Sequence, residues 1–352
     1  MFHSFFFLIF LLFPPKLLLA RIIPSTALEE QQHRRTIFTR FLGTGRGTEI
    51  TGLSDLKKYF NRFGYLAPPR NRSESFTDQF DRRFELAVVT YQKTLGLPIS
   101  GKLDSDTLNE ISSPRCGVPE FPALHARATT KRFDYFTSQP MWTRGIPMTL
   151  TYAFSSQNMI NSPALNDIRR VFKRAFNRWS VVIPANFTET EDYDFADVKI
   201  GFYNGDHGDG EPFDGILGVL AHAFSPEVGK LHLDAAEIWA IDFSSEKSDS
   251  AVDLESVATH EIGHLLGLAH TSVKGAVMYP SLKPRERKLE LKMDDIKGIQ
   301  ALYGSNPNFK LTASLQSDIS SSSRAVNSMV KSSMIKLMTM SIITILLLFL
   351  VM

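Results

Sequence analysis

The sequence predicts an α+β protein in which a small three-helix bundle precedes a larger unit of helices packed on a sheet. Two patterns carry this. Apolar residues keep helical spacing at Leu53, Leu56, Tyr59 and Phe60, then at Phe84, Leu86, Ala87, Val88 and Tyr91, then from Leu103 to Ile111. Farther along, Ile168, Val171, Phe172, Ala175, Phe176 and Trp179 read as one core helix, and Val198 to Tyr203 alternates as a strand does. With 352 residues and 43% hydrophobic content there is material for two modest domains. A net charge of +2 offers little to a polyanion, so nucleic acid is not an expected partner.

The first apolar run, Phe5 to Phe13, is too short to span a bilayer and reads as a signal-peptide core within residues 1–27, cut after Ala20 or after Ala27. The bundle belongs to residues 28–132. Asp104-Ser105-Asp106-Thr107 supplies caps for its last helix, and Leu97-Pro98-Ile99-Ser100-Gly101 is the turn before it. On its own such a bundle could bind cell wall. A linker from Phe121 ends in the basic pair Lys131-Arg132, where cleavage would free a second unit, 133–305, beginning close to Phe133. In it, Ser162-Pro163 offers an N-cap with proline at the first helical position, and Met293 to Tyr303 is the closing helix. A serine-rich linker, 306–323, leads to a tail, 324–352, that is apolar from Leu337 onward. A small-residue site, a polar spacer and an apolar tail form a GPI-anchor signal, with attachment at Ser322 or Ser323; a retained tail anchor is the alternative. Asn71-Arg72-Ser73 and Asn186-Phe187-Thr188 are glycosylation acceptors in keeping with a secretory route.

The chemistry concentrates at His260-Glu261-Ile262-Gly263-His264-Leu265-Leu266-Gly267-Leu268-Ala269-His270. Histidines four apart on a helix share a face and can reach one Zn²⁺ together. Gly267 lets the chain turn back so that His270 becomes a third ligand, leaving the fourth position open. Glu261, beside the first ligand but not itself one, is placed to take a proton from a water at the metal and pass it to a leaving amine. A buried helix with purely structural polar residues is the bland alternative, and it would need partners for three imidazoles and a carboxylate. Cys116, the one cysteine, offers a thiolate that could fill the fourth position and silence the site. His207, Asp209, His222 and His232 make a closed four-ligand set suited to structural zinc. Asp214, Asp234 and Glu237, with carbonyls near Gly215, Leu217 and Val219, are the hard oxygen donors that suit Ca²⁺.

The long histidine motif followed by Met278 in Ala276-Val277-Met278-Tyr279-Pro280 resembles the metzincin clan, in which that methionine forms a Met-turn beneath the zinc. Pro114-Arg115-Cys116-Gly117-Val118-Pro119-Glu120 is similar to the cysteine switch of the matrix metalloproteinases, or matrixins, with Glu120 for the commoner aspartate. The resemblance implies a zincin fold with a mixed twisted sheet, an active-site helix and a Met-turn, and a propeptide similar to peptidoglycan-binding domains. It implies a latent zinc endopeptidase of extracellular proteins, displayed on the plasma membrane, with calcium as a second cofactor; the rival is a catalytically idle binding protein of the same fold. Trp142 to Tyr152 resembles the family's first strand, and substrate would pair with Val219 to Ala223 and place an apolar side chain in a pocket beside His260, walled by Tyr279-Pro280-Ser281-Leu282. Leu217 stands where glycine is usual, Leu282 where tyrosine is common, and Thr271 where serine is usual. The stretch Pro226 to Lys230 is short, which speaks against further calcium sites using Asp197. About four dozen residues after the second unit cannot hold a hemopexin-like propeller, an architecture resembling the plant type.

Overall fold

The computed structural model describes residues 39–69, 71, 74–121, 140–145 and 147–310. The expected signal segment, the Lys131-Arg132 pair, Phe133, Arg72 and Ser73 of the first acceptor, Ser322, Ser323 and the apolar tail lie outside the described residues.

The bundle forms as its periodicity predicts, from α1 (Leu53–Arg62), α2 (Arg82–Thr94) and α3 (Ser105–Ile111). Asp81 and Asp104 cap α2 and α3 by accepting from the Phe84 and Thr107 N–H groups, satisfying donors that a helix start leaves open. Phe60, Phe84 and Tyr91 are fully buried between the helices. Leu86 was expected among them and instead is 56% exposed, because it lies off the stripe that Phe84, Ala87, Val88 and Tyr91 share. Gln92 fastens the turn before α3: its amide donates to Thr107 Oγ1, Lys102 O and Ser100 Oγ, and its oxygen accepts from Ser100 and Gly101.

The larger unit is built on a sheet whose strands run in the order β1-β5-β6-β4-β2-β3. These are β1 (Arg115–Cys116), β2 (Met148–Phe154), β3 (Ala185–Glu189), β4 (Val198–Tyr203), β5 (Val219–Ala223) and β6 (Lys230–Asp234). All pairs are parallel except β5 with β6, so the sheet is mixed, as the resemblance implies. A short parallel pair, β7 (Trp239–Ala240) and β8 (Val252–Asp253), leads into the long central helix. β1 comes from the end of the bundle segment, so that segment supplies the outermost strand beside β5.

Three helices cover this sheet or flank it: α4 (Leu165–Ser180), α5 (Leu254–Leu265) and α6 (Met293–Tyr303). α4 starts later than Ser162-Pro163 predicts. The backbone at Ala164 is still extended, and the first helical bonds run from Asp167 and Ile168 to its carbonyl, so Ser162 is not the cap. The first strand likewise begins at Met148, while Trp142 turns inward and donates from Nε1 to Leu265 O, pinning the end of α5. Trp179 does the same from α4, donating to Thr259 O. Glu255, buried in the first turn of α5, is held by Arg174 and Arg178 of α4. The histidine-bearing helix is therefore tied at its start, middle and end.

Gly267, just past α5, has φ 99°, and a Cβ there would stand 1.9 Å from Pro140 O. A left-handed turn against fixed backbone admits no side chain. Gly267→Ala is expected to cost about 2 kcal/mol or more in urea-induced unfolding.

Candidate metal centre and active site

Every residue of α5 is buried, and His260 and His264, one turn apart, project from it toward His270 on the chain returning through Gly267. The three Nε2 atoms lie 3.1, 3.1 and 3.2 Å from one another. Two of the rings have backbone acceptors on the other nitrogen: His260 Nδ1 meets Val277 O at 2.7 Å and His264 Nδ1 meets Leu268 O at 2.7 Å. A carbonyl only accepts, so both rings carry their proton on Nδ1, and Nε2 presents a lone pair. His270 Nδ1 meets the Glu120 carboxylate at 3.1 Å with the same result. Three lone pairs facing one another repel unless a cation lies among them, and their spacing is close to the ~3.3 Å edge of a tetrahedron with Zn–N bonds of about 2.0–2.1 Å. The residues fit the metal.

Met278 packs directly beneath: a Cβ on Gly263 of α5 would lie 2.2 Å from its sulfur. The fourth donor is Cys116, whose Sγ lies with the three imidazole nitrogens in a group spanning no more than 4.8 Å. β1 holds it there. Arg115 N donates to Gly218 O, Cys116 N to Pro280 O and Gly117 N to Ala221 O, each at 2.8–3.0 Å. Both carboxylate oxygens of Glu261 are buried and meet no donor except the Cys116 thiol beside them. Burial raises the Glu261 carboxyl to about 8, and burial with the nearby carboxylate pushes the thiol well up.

The second histidine cluster also assembles. Asp209 Oδ2 lies 2.8 Å from His207 Nε2, 2.7 Å from His222 Nε2 and 2.9 Å from His232 Nδ1. Burial opposes it, yet hydrogen bonds from His222 and His232 hold the Asp209 carboxyl well below its usual range; burial brings His222 down to about 4. Burial lowers His232 as well, and neutral rings are what metal ligation requires.

A family model described as Matrixin matches residues 141–304, and one described as a putative peptidoglycan binding domain matches 51–111. The chain is 58% identical over 270 residues to Metalloendoproteinase 4-MMP of Arabidopsis thaliana, covering 76% of this chain and 77% of that one. It belongs to the matrixin family. Metalloendoproteinase 1-MMP of the same plant is 50% identical over 288 residues, covering 80% of this chain and 77% of that one. Human neutrophil collagenase is 40% identical over 257, covering 72% of this chain and 50% of that one. As a matrixin the chain is a zinc metalloendopeptidase that acts on protein substrates and depends on zinc and calcium.

The calcium candidates of this matrixin surround one loop. Asp214 accepts from Val219 N, Asp234 from Gly215 N and Glu237 from Leu217 N, at 2.7–3.1 Å. Among the described residues only the two histidine clusters gather three or more His, Cys, Asp or Glu side-chain donors within 4.8 Å, and here the three carboxylates bond the loop's backbone N–H groups instead. Leu217 has φ 61°, which accounts for glycine being usual there. Its side chain is buried, and burial of about 1.5–3 kcal/mol outweighs a left-handed strain of about 1–2. Asp197 is engaged elsewhere, accepting from Thr151 and Arg144. Asn186 lies exposed on edge strand β3, and Asn71 is exposed.

Several residues escaped the sequence reading. Asp295, in the first turn of α6, accepts from Val277 N at 2.9 Å and Met278 N at 3.0 Å, so it holds the Met-turn. The Asp294-Asp295 pair opening a helix was the only signal for it. Tyr203 and Phe213 stack on the second cluster, centroids 4.9 and 5.0 Å from that of His207. Beside His260 lies a cavity of about 20 Å³ walled by Tyr279, Pro280 and Leu282 but not by Ser281; Lys288 also lines it, donating to Ser281 O.

Asp295→Asn turns one acceptor into a donor facing N–H groups, and is expected to cost about 1–3 kcal/mol by thermal or denaturant unfolding. Burial raises Asp234 to about 6, above its unfolded value. Without calcium that charge costs stability above about pH 6, and the cost fades as pH falls and the group protonates. A calcium ion held by Asp234 would have to displace the proton, so calcium affinity, followed by thermal shift, is expected to be flat above pH 7 and to drop up to about tenfold per pH unit below 6.

Proposed function

We propose that this matrixin is made as a latent secreted endopeptidase, held silent by Cys116 and displayed on the outer face of the plasma membrane. The observation supporting it most is the Cys116 sulfur facing three convergent imidazoles from a strand laid against β5. His260, His264 and His270 would hold the catalytic zinc, which when bound polarises the scissile carbonyl and acidifies the attacking water. His207, Asp209, His222 and His232 would hold the structural zinc. Asp214, Asp234 and Glu237, with the Gly215, Leu217 and Val219 carbonyls, would hold calcium.

Removing residues 28–132, by cleavage near Lys131-Arg132, would vacate the edge of β5. Gly218 O and Ala221 O, now accepting from Arg115 and Gly117, would then accept from a substrate strand. Glu261 would take a proton from the water and deliver it to the departing nitrogen. The residue after the cut bond would enter the pocket at Leu282, favouring an apolar side chain of moderate size. Signal removal after residue 20 or 27, glycans at Asn71 and Asn186 and a GPI anchor at Ser322 or Ser323 complete the reading. It divides the chain at 27, 132, 305 and 323 and gives it extracellular proteins as substrates.

The test is a quenched fluorescent peptide with leucine after the scissile bond, offered to the purified proform before and after an organomercurial. Activity is expected only after treatment, lost to a zinc chelator and reduced about 10²–10⁴-fold by Glu261→Ala. Silence throughout with zinc bound would point to the idle binding protein instead.

A further inference from the structure

Of the three imidazoles that converge on the catalytic metal position, two are steadied by the unit that bears them. His260 donates to Val277 O and His264 to Leu268 O, both within residues 254–278. His270 is different: among the described residues its Nδ1 meets one acceptor, Glu120 Oε1, 150 positions earlier in the chain. Glu120 lies on the same short segment as Cys116. Its side chain is 3% exposed, and Oε1 also accepts from the Arg115 guanidinium, itself 3% exposed. Arg115 is fixed in turn by Tyr59 of α1, by the Cys116 carbonyl and by the face of Phe63 at 3.6 Å. A continuous hydrogen-bonded path thus runs from the bundle through Arg115 and Glu120 to the ring of His270.

We infer that Glu120 is the outer hydrogen-bond partner of the zinc ligand His270, supplied by the prosegment and lost with it. The inference rests on the proposed latent reading, in which His270 binds zinc and the segment is removed. A carboxylate on the distal nitrogen of a ligating histidine fixes its tautomer, orients the ring and makes its other nitrogen more basic. One segment therefore acts on His270 from both sides, Cys116 at the metal and Glu120 behind the ring. A single oxygen of the glutamate meets both Arg115 and His270. The proform would then hold zinc more tightly for two separable reasons. Activation would remove the thiolate and also loosen the third ligand, leaving a weaker donor set and a more electrophilic metal.

The test compares full-length proform with Glu120→Gln, which keeps the shape and removes the charge, each with and without Cys116→Ser. Zinc transfer to a chromophoric chelator is the readout, and in cobalt-substituted protein the sulfur-to-cobalt charge-transfer band reports whether Cys116 is seated. Glu120→Gln is expected to give up zinc about 10- to 100-fold more readily in both backgrounds, with the band retained where Cys116 is present. Parental zinc retention by Glu120→Gln in the Cys116→Ser background would overturn the inference, whatever happens to the band. Absence of the band from the parent proform would instead overturn the latent reading.

Discussion

Three lone pairs aimed at one point are what the rest of this structure serves. Imidazole nitrogens 3.1–3.2 Å apart, each ring protonated on its far side, repel one another until a cation joins them. Such a group survives only on a scaffold that fixes every ring. Here Val277 O, Leu268 O and Glu120 set the tautomers, Gly267 makes the returning turn, and Trp142, Trp179 and Glu255 anchor the helix that carries the first two histidines. The Met-turn closes the floor, with Asp295 holding its backbone and Gly263 clearing space for Met278.

The second organising constraint is the edge of β5. An exposed edge is a row of donors and acceptors that must be satisfied by something. In this structure β1 satisfies it, and the backbone bonds that complete the sheet also carry Cys116 to the metal position and Arg115 and Glu120 behind it. In the proposed function, inhibition and substrate binding would compete for this one set of hydrogen bonds. On the proposed latent reading no separate inhibitory surface is needed, because the interaction that blocks the site is the one that would later recognise a peptide.

Much of this was legible in the residues. The histidine motif foretold the convergence of His260, His264 and His270 because helical periodicity converts a spacing of four into a shared face, and Gly267 was readable as a turn because few other residues tolerate that backbone. The bundle helices were legible for the same reason, down to the Asp104 cap. Local signals failed where the answer depended on distant chain. Ser162-Pro163 looks like a helix start, but the backbone of Ala164 stays extended and the helix begins at Leu165. Leu86 fits an apolar run yet points outward, since burial depends on what the helix packs against. The departure at Leu217 is a cost in strain that its buried side chain offsets, a balance no motif displays.

What the sequence determined by itself was the chemistry: which side chains could bind zinc, which could move a proton, and that a lone thiol stood ready to block them. Those follow from residue type and short-range spacing. Tertiary structure decided which groups act together. That Glu120 stands behind His270, that Asp295 grips the Met-turn and that Lys288 lines the pocket beside His260 are contacts across tens to more than a hundred residues. Their geometry is set by sheet order and helix packing, to which local spacing is blind.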